Sequence, residues 1–466
     1  MPDPAPPLKT WLDWSAYADA GLGDAYADIP RHGGDLAKAV AVCINSRRCE
    51  TETKGVMCPS FRASGNPNLS TGGRVRLLKA ALNSDLTGPA LADPGLAEAM
   101  DLCVACKGCK RECENNVDMA LIKTEYLAQR YGGRGPGLRG RLFAHLPLWQ
   151  HRYPWFDALV RRRNRWPWLA RLTQSWLGIA AALPLPERVP VPAGDQAPVQ
   201  VAGTATTRSD TGGRSGVLLL VDTFTRYYEP GIAAAAQKVL EAAGYQVRLA
   251  VPLAADAEPG RPLCCGRTYL AQGMVDEARA EARRLLTALL PQVRAGWVLV
   301  GLEPSCLLGL RDEYRALGLG DEVLELGRAA LLFEEFLARE AQAGRLRLDF
   351  RAGAGEEAGP TLVHGHCHQK AAGAMKSMRK VLKLVPGLGF DFIEAGCCGM
   401  AGAFGLEREH ADLARAMAGQ TLLPALAAQP GAMVIANGFA CRQQIRAHTA
   451  RDPRHLAVVL SAALDA

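Results

Sequence analysis

The chain has 466 residues, more than one hydrophobic core usually organises, so two or three domains are expected. Hydrophobic residues make up 48% of it, and 54 basic against 47 acidic residues leave a net charge of +7. That charge is too diffuse over this length to mark a nucleic-acid surface, no binding motif accompanies it, and no nucleic-acid partner is expected.

The opening Met1-Pro-Asp-Pro-Ala-Pro-Pro-Leu-Lys has no apolar core of the kind a secretory leader carries, so a cytoplasmic chain is expected, with a peripheral place at the inner face of the membrane as the alternative. In that compartment fourteen cysteines point to metal or redox chemistry rather than to a disulfide framework. They fall into three groups, at 43, 49, 58, 103, 106, 109 and 113, at 264, 265 and 306, and at 367, 397, 398 and 441.

After an N-terminal extension (1–35), residues 36–131 read as a small all-helical domain folded around its metal. Ser70-Thr71 is a candidate cap before Val75-Arg-Leu-Leu-Lys-Ala-Ala-Leu82, and Val117–Leu127 is a second helical run, with no alternating strand pattern between them. Cys103-Val-Ala-Cys106-Lys-Gly-Cys109 places three thiolates on one tight loop, as a cubane cluster requires, and Cys58-Pro59 is the evident fourth ligand. A structural zinc site normally takes two pairs of ligands instead. Cys58, Cys103, Cys106 and Cys109 are therefore expected to hold a [4Fe–4S] cluster. In two-cluster domains the cysteine three residues further on, here Cys113, ligates a second cluster. Its triplet reads Cys43-Ile-Asn-Ser46-Arg-Arg-Cys49, with serine in the middle place, and Cys113 is followed by Glu114 rather than proline. Cys43, Cys49 and Cys113 suit a [3Fe–4S] cluster, a [4Fe–4S] cluster with Ser46, water or another oxygen on the fourth iron, or no cluster.

Residues 132–215 form a connector. From Arg134 to Pro192 it is basic and aromatic, with five of the eight tryptophans (149, 155, 166, 168, 176) beside Arg161-Arg-Arg163 and Arg165. Two readings suit it, a helical clasp whose tryptophans pack on neighbouring domains and an interfacial membrane anchor. Its apolar stretch Trp176–Leu183 falls far short of the roughly 20 residues a spanning helix needs. Residues 193–215 are small and polar and read as a flexible linker.

An internal repeat follows, visible when Val217-Leu-Leu-Leu-Val-Asp222 is set against Thr361-Leu-Val-His-Gly-His366. Each copy runs from a strand to a helical stretch (Gly231–Ala243; Lys370–Leu384), a short strand, a Cys-Cys-Gly turn (264–266; 397–399), a helix, another strand (Trp297–Gly301; Ala432–Ala436) and a single cysteine, Cys306 or Cys441. The expected fold class is therefore multidomain: an all-α ferredoxin-like domain, then two pseudo-symmetric α/β modules (216–350 and 351–466) with parallel sheets and functional loops at the strand ends. In the second module Cys367, Cys397, Cys398 and Cys441, with the imidazoles of His364, His366 and His368, form a candidate site for zinc or a further iron–sulfur group. Cys264, Cys265 and Cys306 form a weaker set, to which Glu303 adds either an oxygen ligand or a helix cap.

These residues resemble a family: the iron–sulfur portion of FAD-linked D-2-hydroxyacid dehydrogenases, including the glycolate oxidase iron–sulfur subunit and the C-terminal half of D-lactate and D-2-hydroxyglutarate dehydrogenases. Gly55-Val-Met-Cys58-Pro-Ser-Phe61, Ser70-Thr-Gly-Gly-Arg74, Asp101–Cys109, Asn116-Val-Asp-Met119, Gly301-Leu-Glu-Pro-Ser-Cys306, His364–Lys370 and Cys397-Cys-Gly-Met-Ala-Gly402 carry the likeness over about residues 36–450. It implies an electron carrier relaying from FAD to an acceptor such as quinone, and a membrane-peripheral or quinone-reducing partner. The Cys-Cys-Gly turns are similar to those of heterodisulfide reductase subunits, which implies a thiol/disulfide oxidoreductase as the alternative. Those end each module with C-x-x-C, whereas Glu303 and Gly438 stand three residues before Cys306 and Cys441 here. No G-x-G-x-x-G opens a helix after a strand, so FAD and the substrate-oxidising chemistry are expected only on a separate flavoprotein subunit.

Overall fold

The computed structural model describes residues 8–24, 27–51, 55–189 and 216–465; the linker expected at 193–215 and the opening Met1–Pro7 lie outside them. The chain is α-rich, with an N-terminal helical part and two small parallel sheets.

The helix Thr71–Leu82 starts where the sequence places a cap, with Ser70 Oγ accepting the Gly73 N–H at 2.8 Å. Asp118 caps Met119–Tyr131 in the same way, through the Leu121 N–H. The fully buried Arg74 ties the helical part together by donating to the Ala99 carbonyl at 2.6 Å, to Ser60 Oγ at 2.8 Å and to the Leu69 carbonyl. The three bonds place buried oxygens from three separate segments on one guanidinium.

The first sheet has the order β2-β1-β3-β4 with β1 (Val217–Leu220), β2 (Val247–Leu249), β3 (Val298–Gly301) and β4 (Ala330–Leu332), all parallel. In the second, β5 (Thr361–His364) lies between β6 (Phe390–Phe392) and β7 (Met433–Ala436), again parallel. The central strands β1 and β5 are buried along their whole length; β1 accordingly reads as a continuous apolar run, whereas β5 carries Leu362 and Val363 between the buried polar Thr361 and His364. Two details differ from expectation. The strand β4 is present, and the helix expected over Lys370–Leu384 is broken at Gly373, which takes φ +76° and ends Cys367–Ala372 before Met375–Leu382 begins.

One apolar core joins the two sheets, holding Val217, Leu219 and Val300 together with Val363, Met378 and Ile435. Gly231–Ala242 packs on the C-terminal helix Leu456–Ala463, and Phe333–Gln342 on Met375–Leu382, so each half of the α/β region completes the core of the other.

The connector is helical, with Leu138–Ala144, Leu146–Arg152, Phe156–Arg165 and Pro167–Leu177. Four of its five tryptophans, Trp155, Trp166, Trp168 and Trp176, are exposed rather than packed as a clasp requires, while Trp149 is half-buried against Phe156 within the connector. The inward face of the hairpin is instead made by Val160, Ala170 and the buried Arg163, which donates to the carbonyls of Ala180 and Leu183. Among the described residues no helix is long and apolar enough to cross a membrane.

Candidate metal centres

The loop 103–109 turns sharply because Ala105 and Lys107 both take left-handed backbone angles, φ +46° and +62°. Cys58 does the same at φ +55°, directly before Pro59 opens the helix Pro59–Ser64. The two segments are fastened together by Glu112, whose carboxylate accepts the N–H groups of Val56 at 2.7 Å and Met57 at 2.9 Å. Gly108 admits the approach: a Cβ there would stand 2.7 Å from the Met57 nitrogen. Cys109 thereby comes within electrostatic reach of Cys58 and Cys103, and Cys106 within reach of Cys103 and Cys109.

All four thiols are buried, and burial pushes the Cys58 thiol up to about 11. Burial likewise pushes up the thiols of Cys106 and Cys109, so a bound metal would have to displace protons from these sulfurs. The donor set fits an iron–sulfur group in a second respect. Backbone N–H groups point at the sulfurs: Thr71 at Cys58 (3.0 Å), Gly108 at Cys106 (3.4 Å) and Met119 at Cys109.

The other three cysteines of the first group gather as well, with Cys43 within reach of both Cys113 and Cys49. The Gly72 N–H, from the same helix start that serves Cys58, points at Cys49 Sγ at 3.3 Å. Ser46 donates to the carboxylate of Glu114, which also pairs with Arg48 at 3.3 Å.

In the second module the thiols form a chain of contacts, Cys367 to Cys397, Cys397 to Cys398, and Cys398 to Cys441. The turn is built by Gly399, at φ +88°, whose N–H donates to Cys397 Sγ at 3.3 Å; a Cβ there would lie 2.1 Å from the Ala414 carbonyl oxygen. Glycine is needed for both reasons. The ammonium of Lys370 donates to the carbonyls of Ala395 and Gly396 and places a positive charge within reach of all four sulfurs. His364 joins Cys398 and Cys441, their ligand atoms all within 4.8 Å of one another. The sequence names His364 as one imidazole of three; its place at the end of β5, opposite the Cys-Cys-Gly turn, singles it out.

The first module repeats the turn. Gly266 donates to Cys264 Sγ at 3.4 Å, and Cys264 touches Cys265, which touches Cys306. Glu303 caps the helix Pro304–Arg311 through Ser305, and its second oxygen accepts the Phe439 N–H at 2.8 Å across the module boundary. Both oxygens are thus engaged by the backbone and Ser305, which favours the cap over the ligand.

The first cysteine block and the second module meet directly. Cys106 is within electrostatic reach of Cys367 and Cys397, and Cys106 and Cys397 share one apolar cluster with Val56, Val104 and Phe404. The helix Gly108–Glu112 packs on Cys367–Ala372, and His368 Nε2 lies 3.0 Å from the Ala105 carbonyl in the middle of the cysteine loop. The carbonyl only accepts, so the imidazole donates.

Comparison with known proteins adds a name to the first block: a 4Fe-4S dicluster domain family matches residues 39–117. The chain is 25% identical over 371 residues to D-2-hydroxyglutarate dehydrogenase of Escherichia coli K12, covering 77% of this chain and 34% of that protein. It is 28% identical over 375 residues to the enzyme of the same name from Pseudomonas putida, covering 78% and 34%. It is also 25% identical over 251 residues to the C subunit of anaerobic glycerol-3-phosphate dehydrogenase from Escherichia coli K12, covering 52% and 57%. The chain spans about a third of the length of these D-2-hydroxyglutarate dehydrogenases. No solved structure matches it significantly. Residues 39–117 thus match a 4Fe-4S dicluster domain, in a chain similar over part of its length to D-2-hydroxyglutarate dehydrogenases and to the C subunit of anaerobic glycerol-3-phosphate dehydrogenase.

Proposed function

We propose that the chain is the iron–sulfur electron-transfer component of a flavin-dependent dehydrogenase acting on a D-2-hydroxyacid of the lactate, glycolate or 2-hydroxyglutarate type. FAD and substrate oxidation reside on a partner polypeptide, and the electrons leave for an acceptor such as quinone. The observation that carries this reading is the contact between the cysteine loop and the second module, where Cys106 stands beside Cys367 and Cys397. A [4Fe–4S] group held by Cys58, Cys103, Cys106 and Cys109 supplies one-electron steps.

The residues around the loop suit that task. Val56, Val104 and Phe404 exclude water, the N–H groups of Thr71 and Gly108 stabilise thiolate charge, and His368 anchors the loop to the module that lies next along the path. The matching order of strands and Cys-Cys-Gly turns supports reading the two α/β modules as copies of one unit, the second holding zinc or a further iron–sulfur group. Cys43, Cys49 and Cys113, with Ser46, are the candidate second cluster site. A cavity of about 1120 Å³, bounded by Cys103, Cys367, Phe143 and Trp176, gives an apolar acceptor a place beside the cysteine loop.

Affinity purification of the full chain from its own host tests the reading. A yellow FAD-containing partner is expected to co-purify, and the complex is expected to reduce a dye with D-lactate, glycolate or D-2-hydroxyglutarate. If instead the chain alone reoxidises its reduced clusters with a disulfide, and no flavoprotein accompanies it, the electron-carrier reading fails in favour of thiol/disulfide chemistry.

A further inference from the structure

His364 is the last residue of β5, 1% exposed, and neither of its ring nitrogens has a hydrogen-bond partner. That is an unusual position for an imidazole. A neutral ring carries one donor and one acceptor, and leaving either unsatisfied in the interior costs about 1–3 kcal/mol. Buried polar atoms without partners call for a specific cause, of which an ion is one.

What lies around the ring names the ion's chemistry. Cys398 Sγ, Cys441 Sγ and a His364 nitrogen all lie within 4.8 Å of one another, and all three residues are buried. They come from three separate places in the fold: the end of β5, the Cys-Cys-Gly turn after β6, and the helix Phe439–His448 that follows β7. Cys397, whose thiol touches Cys398, is next in line for a fourth position. Lys370, within reach of Cys441, Cys367, Cys397 and Cys398, offsets the negative charge that several thiolates bring. The first module offers an internal contrast. Counted from the strand starts, Leu220 occupies the place of His364, so Cys264, Cys265 and Cys306 gather there with no imidazole at the end of β1.

We propose that His364, Cys398 and Cys441 bind a single zinc ion, through one imidazole nitrogen and two thiolates, in the second module only. A donor set of one nitrogen and two or three sulfurs suits this borderline-soft d¹⁰ ion, whereas cubane iron–sulfur groups take thiolate at their corners. The site rests on reading the second module as a metal-binding element and makes that element a zinc-stapled joint between β5, the Cys-Cys-Gly turn and the helix after β7. It gives the modules different chemistry despite their matching turns.

The test uses the full chain, purified without oxygen, with zinc and iron measured together and zinc X-ray absorption recorded. About one zinc per chain is expected, with a nitrogen neighbour near roughly 2.0 Å and sulfur neighbours near roughly 2.3 Å. His364→Ala is expected to weaken zinc binding by at least about 100-fold while the EPR signal of the N-terminal cluster stays as in the wild type. His364→Cys keeps zinc and shifts its neighbours to sulfur alone, which guards against a variant that merely misfolds. Wild-type protein without zinc, or zinc retained undiminished by His364→Ala, or an all-sulfur zinc shell in the wild type, overturns the inference. Each of those outcomes leaves the electron-carrier reading standing, whereas a normal zinc site in a chain with no reducible cluster overturns only that reading.

Discussion

The Lys107 ammonium, in the middle of the C-x2-C-x2-C loop, lies 3.1 Å from the carboxylate of Asp118, both almost fully buried. It also lies 3.0 Å from Asp312 and 3.5 Å from Glu313, which belong to the first α/β module. Burial opposes the charge on Lys107, and the three carboxylates outweigh it and hold the ammonium protonated. Glu313 in turn pairs with Arg267, the residue after the first Cys-Cys-Gly turn, whose guanidinium stands 3.3 Å from His368 of the second. One buried ionic network thus joins the cysteine loop to the first α/β module and ends beside His368 of the second.

Lys107→Met keeps the length of the side chain and removes its charge. Asp118 and Glu313 are then buried with less compensation, and breaking a buried pair in this way costs about 3–5 kcal/mol. The expected result is a lower denaturant midpoint and faster loss of iron from the purified protein, followed by its visible absorption. An unfolding free energy within about 0.5 kcal/mol of wild type would sink the idea that this network fixes the loop.

Much of this was legible from spacing alone. The runs of cysteines, the Ser70 cap and the continuous apolar strands each depend on neighbours a few residues apart. Strand β4 was not legible, because Ala330–Leu332 is three apolar residues continuing straight from the helix Glu322–Ala329. The Lys107 network was not either: Lys107 and Asp118 meet Asp312 and Glu313 from far along the chain, and each alone reads as a solvated charge. His364 shows the intermediate case. Its sequence neighbourhood announces imidazoles near cysteines, but only the fold distinguishes it from His366, which caps the helix Cys367–Ala372, and from His368, which bonds the Ala105 carbonyl.

Glu334 makes stability depend on pH. It is 1% exposed, its oxygens accept from Gln369 and from Asn437 (3.2 Å), and burial pushes its carboxyl up to about 7. The unfolded chain loses this proton near the ordinary carboxylate value. The folded state keeps it until about pH 7, so stability conferred by the bound proton is lost as pH rises from about 4.5 through 7. A shift of this size corresponds to roughly 3 kcal/mol. Glu334→Gln removes the titration. The difference in unfolding free energy between variant and wild type is expected to move in the variant's favour by about 2–3 kcal/mol between pH 5 and pH 8. A difference that does not change with pH counts against the assignment, whatever its constant offset.

Ser46 and Glu114 depart from the two-cluster pattern at two places, and the fold brings these two departures into one hydrogen bond. The backbone around them keeps the cluster-loop shape. Asn45 and Arg47 take φ +59° and +60°, at the same offsets from Cys43 as Ala105 (+46°) and Lys107 (+62°) have from Cys103. Such angles cost on the order of 1 kcal/mol each in non-glycine residues, so a loop that keeps both is held to them by something. The expected outcome is a second cluster with an oxygen at its fourth corner. Iron analysis should then exceed about four per chain from the N-terminal domain, and EPR of the reduced protein should contain two spin systems. Ser46→Cys is expected to leave one signal unchanged and to alter the other while slowing its loss in air. About four irons with a single spin system, unchanged by Ser46→Cys, would show that only the Cys58 site is filled.

The aromatic hairpin carries the last expectation. Trp155, Trp168 and Trp176 are 60%, 60% and 81% exposed, on the outer side of helices that also expose Arg161, Arg162, Arg165 and Arg171. Indole rings with adjacent guanidinium groups favour the interface of an anionic bilayer, the rings at headgroup level and each cation contributing about 1 kcal/mol near the surface. The same helices line the cavity beside Cys103, so a membrane seated on this face would bring an apolar acceptor next to that cavity. Sedimentation with vesicles containing about 30% anionic lipid is expected to bring down the wild-type chain, less so as salt is raised. Trp168→Ala with Trp176→Ala should lower that partitioning about tenfold, and neutral vesicles should bind weakly. Both rings are largely exposed, Trp168 stacking only on Trp166 at 6.0 Å and Trp176 on the rim of the cavity, so thermal stability should fall far less than partitioning. Equal binding by the double variant would return the tryptophans to the role of ordinary exposed surface.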